Sequence, residues 1–327
     1  MNAAIFGPNG PEITAWERSF FRETQPFGFI LFARNIDTPD QLRKLTAQLR
    51  DTVDHAAPIL IDQEGGRVQR MSAPHWRMYL PALDQMRKAR DPMRAQWLRN
   101  RLIAAELIGV GVDANCAPLA DIAEPATHPF LQNRLYGADA ATVTQAARIC
   151  ADALMAGGVL PVLKHIPGHG RATSDSHLAL PLVDVPHAAL SARDFAPFKA
   201  LNDLAMGMTA HIVFADIDPA NPATTSARMM GLIRQEIGFD GLLMTDDISM
   251  QALSGSIADR SAASLAAGCD VILHCNGDAV EMQAVANAAG DMRNAATVRA
   301  NRVFAARKTP ENIDIPQLEE ELEALLR

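Results

Sequence analysis

Short apolar runs recur along this chain and alternate with segments in which apolar residues return every three or four positions. We predict eight buried strands from the runs, at residues 3–6, 28–32, 58–61, 110–117, 159–163, 205–208, 241–244 and 271–274. Segments such as residues 42–53 and 143–154 have the spacing of amphipathic helices. The order strand, helix, strand, helix is typical of a parallel sheet covered by helices.

Glycines mark the ends of several predicted helices just before the next strand. We expect left-handed caps there, at Gly109, Gly157, Gly158, Gly238 and Gly268. Eight such repeats predict an α/β fold, a single (β/α)8 barrel of the TIM type with its active site at the carboxyl ends of the strands. A doubly wound open sheet is the alternative, but no GxGxxG or GxxxxGK[ST] motif follows a strand.

No Ser-, Gly- or Pro-rich linker divides the 327 residues. We therefore predict one domain over residues 1–327, with a charged helical tail at about residues 310–327.

Composition narrows the classes of function. Hydrophobic residues make up 48% of the chain and charged residues 21%, which excludes disorder over most of it. Acids outnumber bases by 38 to 30, and without a basic block to neutralise phosphates we expect no nucleic-acid partner. No apolar run approaches the ~18 residues of a membrane span, no cleavable apolar stretch opens the chain, and the four cysteines form no CxxC motif. We expect a cytoplasmic protein with no membrane partner.

Polar residues directly follow the apolar runs, at the strand ends that form the active site of a barrel. These positions hold Asn35, Asp62 with Glu64, Asp121, Lys164 with His165, His211, Asp246 with Asp247, and Asn276. Carboxylates accept hydrogen bonds from neighbouring hydroxyls, and lysine and histidine donate to others. A sugar is therefore a natural ligand for this set of side chains.

Two of these signals also have a purely structural interpretation. Asp246 is placed to act as a nucleophile at the end of strand seven, but Asp246 or Asp247 could instead cap a helix over residues 248–253. The stretch around Asp62 could be an acidic turn whose glycines allow tight geometry. The strand-end position favours function for Asp62, and both roles can coexist across the Asp246 and Asp247 pair.

A long polar loop is predicted after strand five, over residues 164–177. Loops of this length often form active-site lids. Asp175 and His177 are therefore candidates for an orienting acid and a proton-transferring imidazole, with hinge freedom from Gly168 and Gly170. A solvated loop without a catalytic role is the alternative.

Two further classes of function would use the same part of the chain. A metal-dependent barrel hydrolase would bind a divalent cation through His165, His169, Asp175 and His177, although no HxH motif follows strand one. A non-catalytic sugar-binding barrel would need only the clamp of Asp62, Lys164 and His165.

Four stretches carry a resemblance to a known family. They are residues 61–70 (IDQEGGRVQR), 117–121 (APLAD), 164–177 (KHIPGHGRATSDSH) and 244–250 (MTDDISM). With these motifs the chain resembles, over nearly its whole length, the short single-barrel bacterial β-N-acetylglucosaminidases of glycoside hydrolase family 3. The resemblance implies a retaining exo-acting enzyme that removes N-acetylglucosamine from cell-wall muropeptides in the cytoplasm. It implies no cofactor and no metal.

The resemblance also implies a role for each candidate site residue. Asp246 would be the nucleophile, His177 the general acid and base, and Asp175 its partner. The family's sugar-binding positions fall on Asp62, Arg70, Arg134, Lys164 and His165. Retaining hydrolysis needs a nucleophile on one face of the anomeric carbon and a proton donor on the other. An imidazole with an ordinary pKa of about 6.5 can donate to the leaving oxygen and then activate water.

Overall fold

A computed structural model of the chain describes residues 1–174 and 180–327. Eight parallel strands form a closed barrel in these residues. In chain order they are β1 (Asn2–Phe6), β2 (Pro26–Leu31), β3 (Ile59–Ile61), β4 (Ala114–Asn115), β5 (Leu160–Ile166), β6 (Met206–Thr209), β7 (Leu242–Asp247) and β8 (Val271–His274). Each strand pairs with the next along the chain. The pairing of β8 with β1, with Phe6 opposite His274, closes the barrel.

Helices surround the barrel, which confirms the predicted (β/α)8 fold over the open sheet. The α-helices are Ala15–Thr24, Pro39–Arg50, Ala82–Lys88, Pro92–Ile108, Pro129–Gln132, Ala140–Ala156, His187–Ala189, Ala196–Ala200, Ala227–Leu232, Ile257–Ala267, Ala279–Ala289, Asn294–Ala305 and Ile315–Leu326. Single turns of 3-10 helix lie at Ala33–Asn35 and Ala223–Thr225, and π-helical turns lie at Leu190–Asp194 and Ile233–Ile237. Two short strand pairs lie outside the barrel: Gln63–Gly65 with Val68–Gln69, and Leu182–Val183 with Val213–Phe214.

Local sequence signals start many of these helices. The side chains of Thr38, Asp91, Asp139 and Asp278 each accept a hydrogen bond from a backbone N–H of the first helical turn. These caps satisfy donors that have no partner inside the helix. The caps therefore fix where the helix after a strand begins.

The core has two layers because the strands are buried on both faces. In β1, for example, Ile5 belongs to a cluster inside the barrel, whereas Ala4 and Phe6 pack against the surrounding helices. Parallel strands that are covered on both sides show this pattern as continuous apolar runs. The helix Asn294–Ala305 contributes Ala300 and Val303 to the inner cluster.

Some predicted boundaries are wrong, and they differ most where polar residues interrupt or follow an apolar run. The strand predicted at residues 110–117 is only Ala114–Asn115. Strand β5 continues to Ile166, so that Lys164 and His165 lie in the strand and not in the loop after it. Of the predicted glycine caps, Gly109 and Gly157 have negative φ, and the left-handed residue after the first of these helices is Gly111.

The chain ends in the helix Ile315–Leu326, which packs on the helix Pro92–Ile108. Leu318 and Leu322 are buried, and Arg94 forms a two-pronged ion pair with Glu321 at 2.7 Å. Across the part of the chain that the structure describes, no helix has the length and apolar character needed to cross a membrane.

Candidate active site

A cavity opens at the carboxyl ends of the barrel strands. Six of the eight residues singled out from the sequence line it: Asp62, Arg70, Arg134, Lys164, His165 and Asp246. The other two, Asp175 and His177, lie outside the described residues. Side chains that are far apart in the chain therefore meet in one cavity, because parallel strands place their carboxyl ends at the same edge.

Asp62 lies directly after β3 and is bound by two cations. Lys164 Nζ, from β5, donates to Asp62 Oδ1 at 2.9 Å, and Arg70 Nη2 donates to Oδ2 at 3.0 Å. Burial opposes ionisation of this carboxyl, but the charges of Lys164 and Arg70 outweigh it and hold its pKa well below its usual range. Each carboxylate oxygen still has lone-pair capacity for a ligand hydroxyl. Asp62 is therefore a permanently charged acceptor that faces the cavity.

Glu64 lies behind this carboxylate and connects it to Arg134. Arg134 Nε and Nη2 donate to the two oxygens of Glu64 at 2.9 and 2.8 Å, and Lys164 Nζ lies 2.7 Å from Glu64 Oε1. Burial alone would raise the pKa of Glu64, but Arg134 and Lys164 outweigh burial and lower this pKa to about 2. Burial alone would lower the pKa of Lys164, but the charges of Asp62 and Glu64 raise it above its usual range. All of these groups stay charged at neutral pH.

Arg70 is held by the loop that follows the hairpin of Gln63–Gly65 and Val68–Gln69. The Gln63 side-chain oxygen accepts from the backbone N–H groups of Arg70 at 2.9 Å and of Met71 at 3.1 Å. Its guanidinium carbon lies 5.5 Å from the centre of the Phe32 ring. Hydrogen bonds and ring contact together fix the direction in which Arg70 reaches Asp62.

His165, also in β5, is oriented by Asp121. Nδ1 of His165 lies 2.8 Å from Asp121 Oδ2, and the other oxygen of Asp121 accepts from the backbone N–H of His169 at 2.6 Å. Burial raises the pKa of Asp121, but His165 outweighs it and the net shift is downward. Burial and the nearby His165 lower the pKa of His169 to about 4, so His169 is neutral at pH 7.

The metal alternative rested partly on His165 and His169. In residues 1–174 and 180–327, no three His, Cys, Asp or Glu side chains are grouped so that they could hold a metal ion. The ring of His165 is instead directed by its bond to Asp121.

Asp246 and Asp247 end β7 and have different surroundings. Both residues line the cavity, and Asp246 Oδ1 accepts from the backbone N–H of Asp247 at 2.8 Å. The Asp247 carboxylate accepts from the backbone N–H and hydroxyl of Ser249 at 3.1 and 2.7 Å, and from the backbone N–H of Cys275 at 3.2 Å. Residues 248–253 form turns and no helix, so the helix-cap interpretation is wrong. The structural role at this strand end belongs to Asp247.

The polar groups face apolar walls. Phe32, Phe130, Leu131, Met208 and Met250 line the same cavity. The guanidinium carbon of Arg67 lies 3.7 Å from the centre of the Phe130 ring and fixes that wall. Ionised acceptors and donors beside apolar surface suit a sugar, which has hydroxyls at its rim and C–H groups on its faces.

The sequence matches the N-terminal domain of glycosyl hydrolase family 3 over residues 12–305. The chain belongs to glycoside hydrolase family 3. The β-hexosaminidase of Alkalilimnicola ehrlichii is 35% identical over 284 residues, which cover 84% of this chain and 81% of that protein.

Two solved structures extend the similarity of this family 3 chain to three dimensions. One is NagZ from Neisseria gonorrhoeae in complex with N-trifluoroacetyl-D-glucosamine, with a TM-score of 0.88 and 26% identity over 100% of this chain and 98% of that one. The other is a family 3 β-N-acetylglucosaminidase from Paenibacillus, with a TM-score of 0.87 and 27% identity. In that pair the similarity covers 98% of this chain and 66% of the other.

This member of family 3 is a glycoside hydrolase of the β-N-acetylhexosaminidase type, with a small carbohydrate as substrate. A non-catalytic sugar-binding barrel is therefore excluded. The family match over residues 12–305 includes strands β2 to β8 and the described residues that line the cavity.

Sequence reasoning did not select three residues that shape the site of this family 3 enzyme. Glu64 and Asp121 were noted only as polar residues at strand ends, and the structure shows them binding Arg134 and His165. Phe130 lies far from any predicted strand, and no pattern in the sequence pointed to it. The strand-end rule thus found the two acids and His165, but it did not indicate which side chains they bind.

The loop after β5 is anchored at its start. A side chain at Gly170 would collide with the backbone of Ile122, and the Gly170 carbonyl accepts a hydrogen bond from Thr127 Oγ1 at 2.5 Å. Arg171 Nε donates to Asp194 at 2.9 Å. The requirement for glycine at position 170 comes from this close approach of two backbones.

Proposed function

We propose that the chain is a retaining exo-β-N-acetylglucosaminidase that forms a covalent glycosyl ester on Asp246. The observation that supports it best is the placement of Asp246 in one cavity with the charged clamp of Asp62 and Lys164. A nucleophile must lie beside the anomeric carbon of a bound sugar, and only a residue on the cavity wall can reach it.

The clamp would bind the sugar through its hydroxyls. Asp62 accepts from hydroxyl groups, and Lys164, Arg134 and His165 donate to hydroxyl oxygens. Hydrogen bonds to charged groups are about twice as strong as neutral ones, so a few of them can orient a neutral ligand. Support comes from the NagZ relative, whose structure contains N-trifluoroacetyl-D-glucosamine.

The reaction would proceed in two displacements at the anomeric carbon. Asp246 attacks this carbon, the bond to the leaving oxygen breaks, and His177 gives its proton to that oxygen. Water then attacks the same carbon and gives a proton to His177, and the ester bond to Asp246 breaks. Asp175 orients His177 and stabilises its charged form. The roles of Asp175 and His177 rest on the motif in residues 164–177.

The natural substrates in this proposal are cell-wall muropeptides that return to the cytoplasm, with residues 1–327 acting as one catalytic domain. The family resemblance supports the substrate. All four cysteines are free thiols, which is compatible with a reducing compartment. Packing of the helix Ile315–Leu326 on the helix Pro92–Ile108 supports a single domain.

Trapping the ester tests the mechanism. A 2-acetamido sugar with fluorine at the 5-position slows the second displacement, so the labelled peptide can be isolated and sequenced. We expect the label on Asp246. A label on Asp247, the adjacent aspartate in the chain, would overturn the assignment of the nucleophile.

Analysis of the reaction products tests which sugar is released and whether water or phosphate accepts it. The purified protein is incubated with a disaccharide that carries N-acetylglucosamine at its non-reducing end, with and without phosphate. We expect free β-N-acetylglucosamine first, in both conditions. We also expect the specificity constant for an acetamido glycoside to exceed that for the matching glucoside, and equal constants would contradict the proposed substrate class.

A further inference from the structure

Glu64 is charged and next to the cavity, yet its carboxylate does not reach it. The Glu64 side chain is 4% exposed, compared with 16% for Asp62. Its Oε1 is bound by Lys164 and Arg134, and its Oε2 by Arg134 alone. Asp62, Lys164 and Arg134 all line the cavity, and Glu64 does not. A carboxylate so enclosed cannot accept from a bound sugar.

The backbone that carries Glu64 is held from both sides. The Asn115 side chain donates to the Gln63 carbonyl at 3.1 Å and accepts from the Gln63 N–H at 3.0 Å. The carbonyl oxygen of Glu64 accepts a hydrogen bond from the buried Arg99. The position of this carboxylate is therefore set by the barrel and the helix Pro92–Ile108, independently of any ligand.

Charges alternate along the five side chains that meet here. The order of contact is Arg70, Asp62, Lys164, Glu64 and Arg134. Without the charge of Glu64, three cations would have Asp62 as their only carboxylate in this chain of contacts. Arg134 would turn towards Asp62, and Lys164, which already donates to Asp62, would bind it alone. Together they would occupy the lone pairs that sugar hydroxyls need.

We propose that Glu64 is a positioning residue that directs Lys164 and Arg134 towards the sugar and keeps Asp62 open to its hydroxyls, without touching the sugar. The inference rests on the proposed function, in which these three side chains bind the sugar. It assigns Glu64 an effect on ligand affinity that is separate from its effect on folding.

The test uses Glu64→Gln, which keeps the shape of the side chain and removes its charge. We expect the dissociation constant of N-acetylglucosamine, measured by NMR titration, to rise about 30-fold or more. We expect KM for an activated aryl glycoside to rise in parallel, with kcat changed less than fivefold. Unchanged affinity in a folded variant would overturn the proposal.

Asp270→Asn is the matched control. Asp270 is also a buried carboxylate between two cations, Arg234 and Arg299, but it lies before β8 at the opposite end of the barrel. We expect this variant to lose stability while it keeps the affinity for N-acetylglucosamine. Equal losses of affinity in the two variants would show that the effect at Glu64 is only structural.

A second experiment tests whether Glu64 acts through Arg134. If Glu64 acts by directing Arg134, Glu64→Gln should weaken binding less in an Arg134→Met protein than in the parent. An equal fold-loss of affinity in both proteins would show that Glu64 does not act through Arg134. If Glu64→Gln does not fold, Glu64→Asp replaces it, because a shorter acid keeps the charge but cannot reach both cations. Parent-like affinity in Glu64→Asp would then overturn the proposal.

Failure of this inference and failure of the proposed function give different results. If the parent protein neither binds N-acetylglucosamine nor cleaves its glycosides, the proposed function is wrong. If the parent does both and the Glu64 variants match it, only the role of Glu64 is wrong.

Discussion

Two carboxylates, the partly buried Asp62 at the carboxyl end of the barrel and the buried Asp270 at the amino end, each lie between two cationic side chains. Asp62 is bound by Lys164 and Arg70. Asp270 is bound by Arg234 at 2.7 Å and by Arg299 at 3.0 Å. The chemistry of the two clusters is the same, and their surroundings decide what each does.

Protein groups bind the side chains of the cluster around Asp270, here called the closed cluster, although Asp270 and Arg299 also border a second cavity. Asp270 Oδ2 also accepts from the backbone N–H of Leu243 at 2.9 Å. Arg234 donates to the carbonyls of Phe239 and Gly241, each at 2.8 Å. Arg299 also donates to Asp240 at 2.9 Å. These bonds tie the start of β7 to the start of β8 and to the helices outside.

The cluster around Asp62 is open on one side. Asp62, Arg70 and Lys164 all line the cavity, where a ligand can complete their hydrogen bonds. In a barrel of this type, polar residues at the amino ends of strands stabilise the fold, and those at the carboxyl ends carry function. An ion cluster is therefore a binding site only where the fold leaves part of it unfilled.

The largest effect should come from Asp246→Asn, which removes the proposed nucleophile at the open end. We expect kcat to fall by about 10⁴ or more, because the covalent intermediate cannot form. The melting temperature should stay within a few degrees of the parent. Asp247→Asn is the control: its amide oxygen can still accept from the Ser249 and Cys275 N–H groups, but it loses the charge and the acceptor of the Ser249 hydroxyl. It should therefore destabilise the protein more and reduce kcat less.

Asp62→Asn tests the open cluster itself. We expect kcat/KM to fall by about 10³, roughly 4 kcal/mol of transition-state binding, because the amide cannot accept charge-assisted hydrogen bonds on both sides. Steady-state kinetics with an aryl N-acetylglucosaminide measures this loss. A decrease of less than fivefold would mean that Asp62 does not bind the substrate.

Asp270→Asn tests the closed cluster. Removing the charge leaves Arg234 and Arg299 without their buried partner, and we expect the free energy of unfolding to fall by about 3 kcal/mol. The measurement is urea unfolding at pH 7. Once corrected for the folded fraction, kcat/KM should equal that of the parent, and a loss above tenfold would remove the distinction between the two ends.

Glu106 is a third carboxylate for comparison, and we expect its effect on stability to be the smallest. It is half-buried, and it accepts a hydrogen bond from the backbone N–H of Arg77 at 3.3 Å. Burial raises its pKa from 4.5 to about 7, the opposite of the net shift at Asp62. The folded state therefore holds this proton more tightly than the unfolded state. Its contribution to stability is complete below about pH 4.5 and is lost as the pH rises through 7.

Glu106→Gln removes this titration. We expect the parent to lose about 2 kcal/mol of stability relative to the variant between pH 5 and pH 8, measured by urea unfolding across this range. Glu321→Gln serves as the control because the hydrogen bonds and charge of Arg94 lower the pKa of Glu321 below its usual value. A constant difference between parent and Glu106→Gln at all pH values would contradict the raised pKa.

The sequence alone was sufficient to predict the barrel and some of the residues that line the cavity. Continuous apolar runs mark strands that are buried on both faces, and β8 has the predicted bounds. Asp62, Lys164 and Asp246 could be selected because a strand end is a local property that a short run of residues specifies. Arg134 could be named only from the family resemblance, since it follows no strand, and the roles of Asp175 and His177 stay predictions.

Tertiary structure decided which of these charged groups stay open to a ligand. Position at a strand end does not distinguish Asp62 from Glu64, two acids in one stretch, or Asp246 from Asp247. Only the fold turns Glu64 away from the cavity onto Arg134, and only β8 brings the Cys275 backbone to Asp247. Partners of this kind lie far apart in the chain, and the free energy of a buried charge depends on which partners surround it.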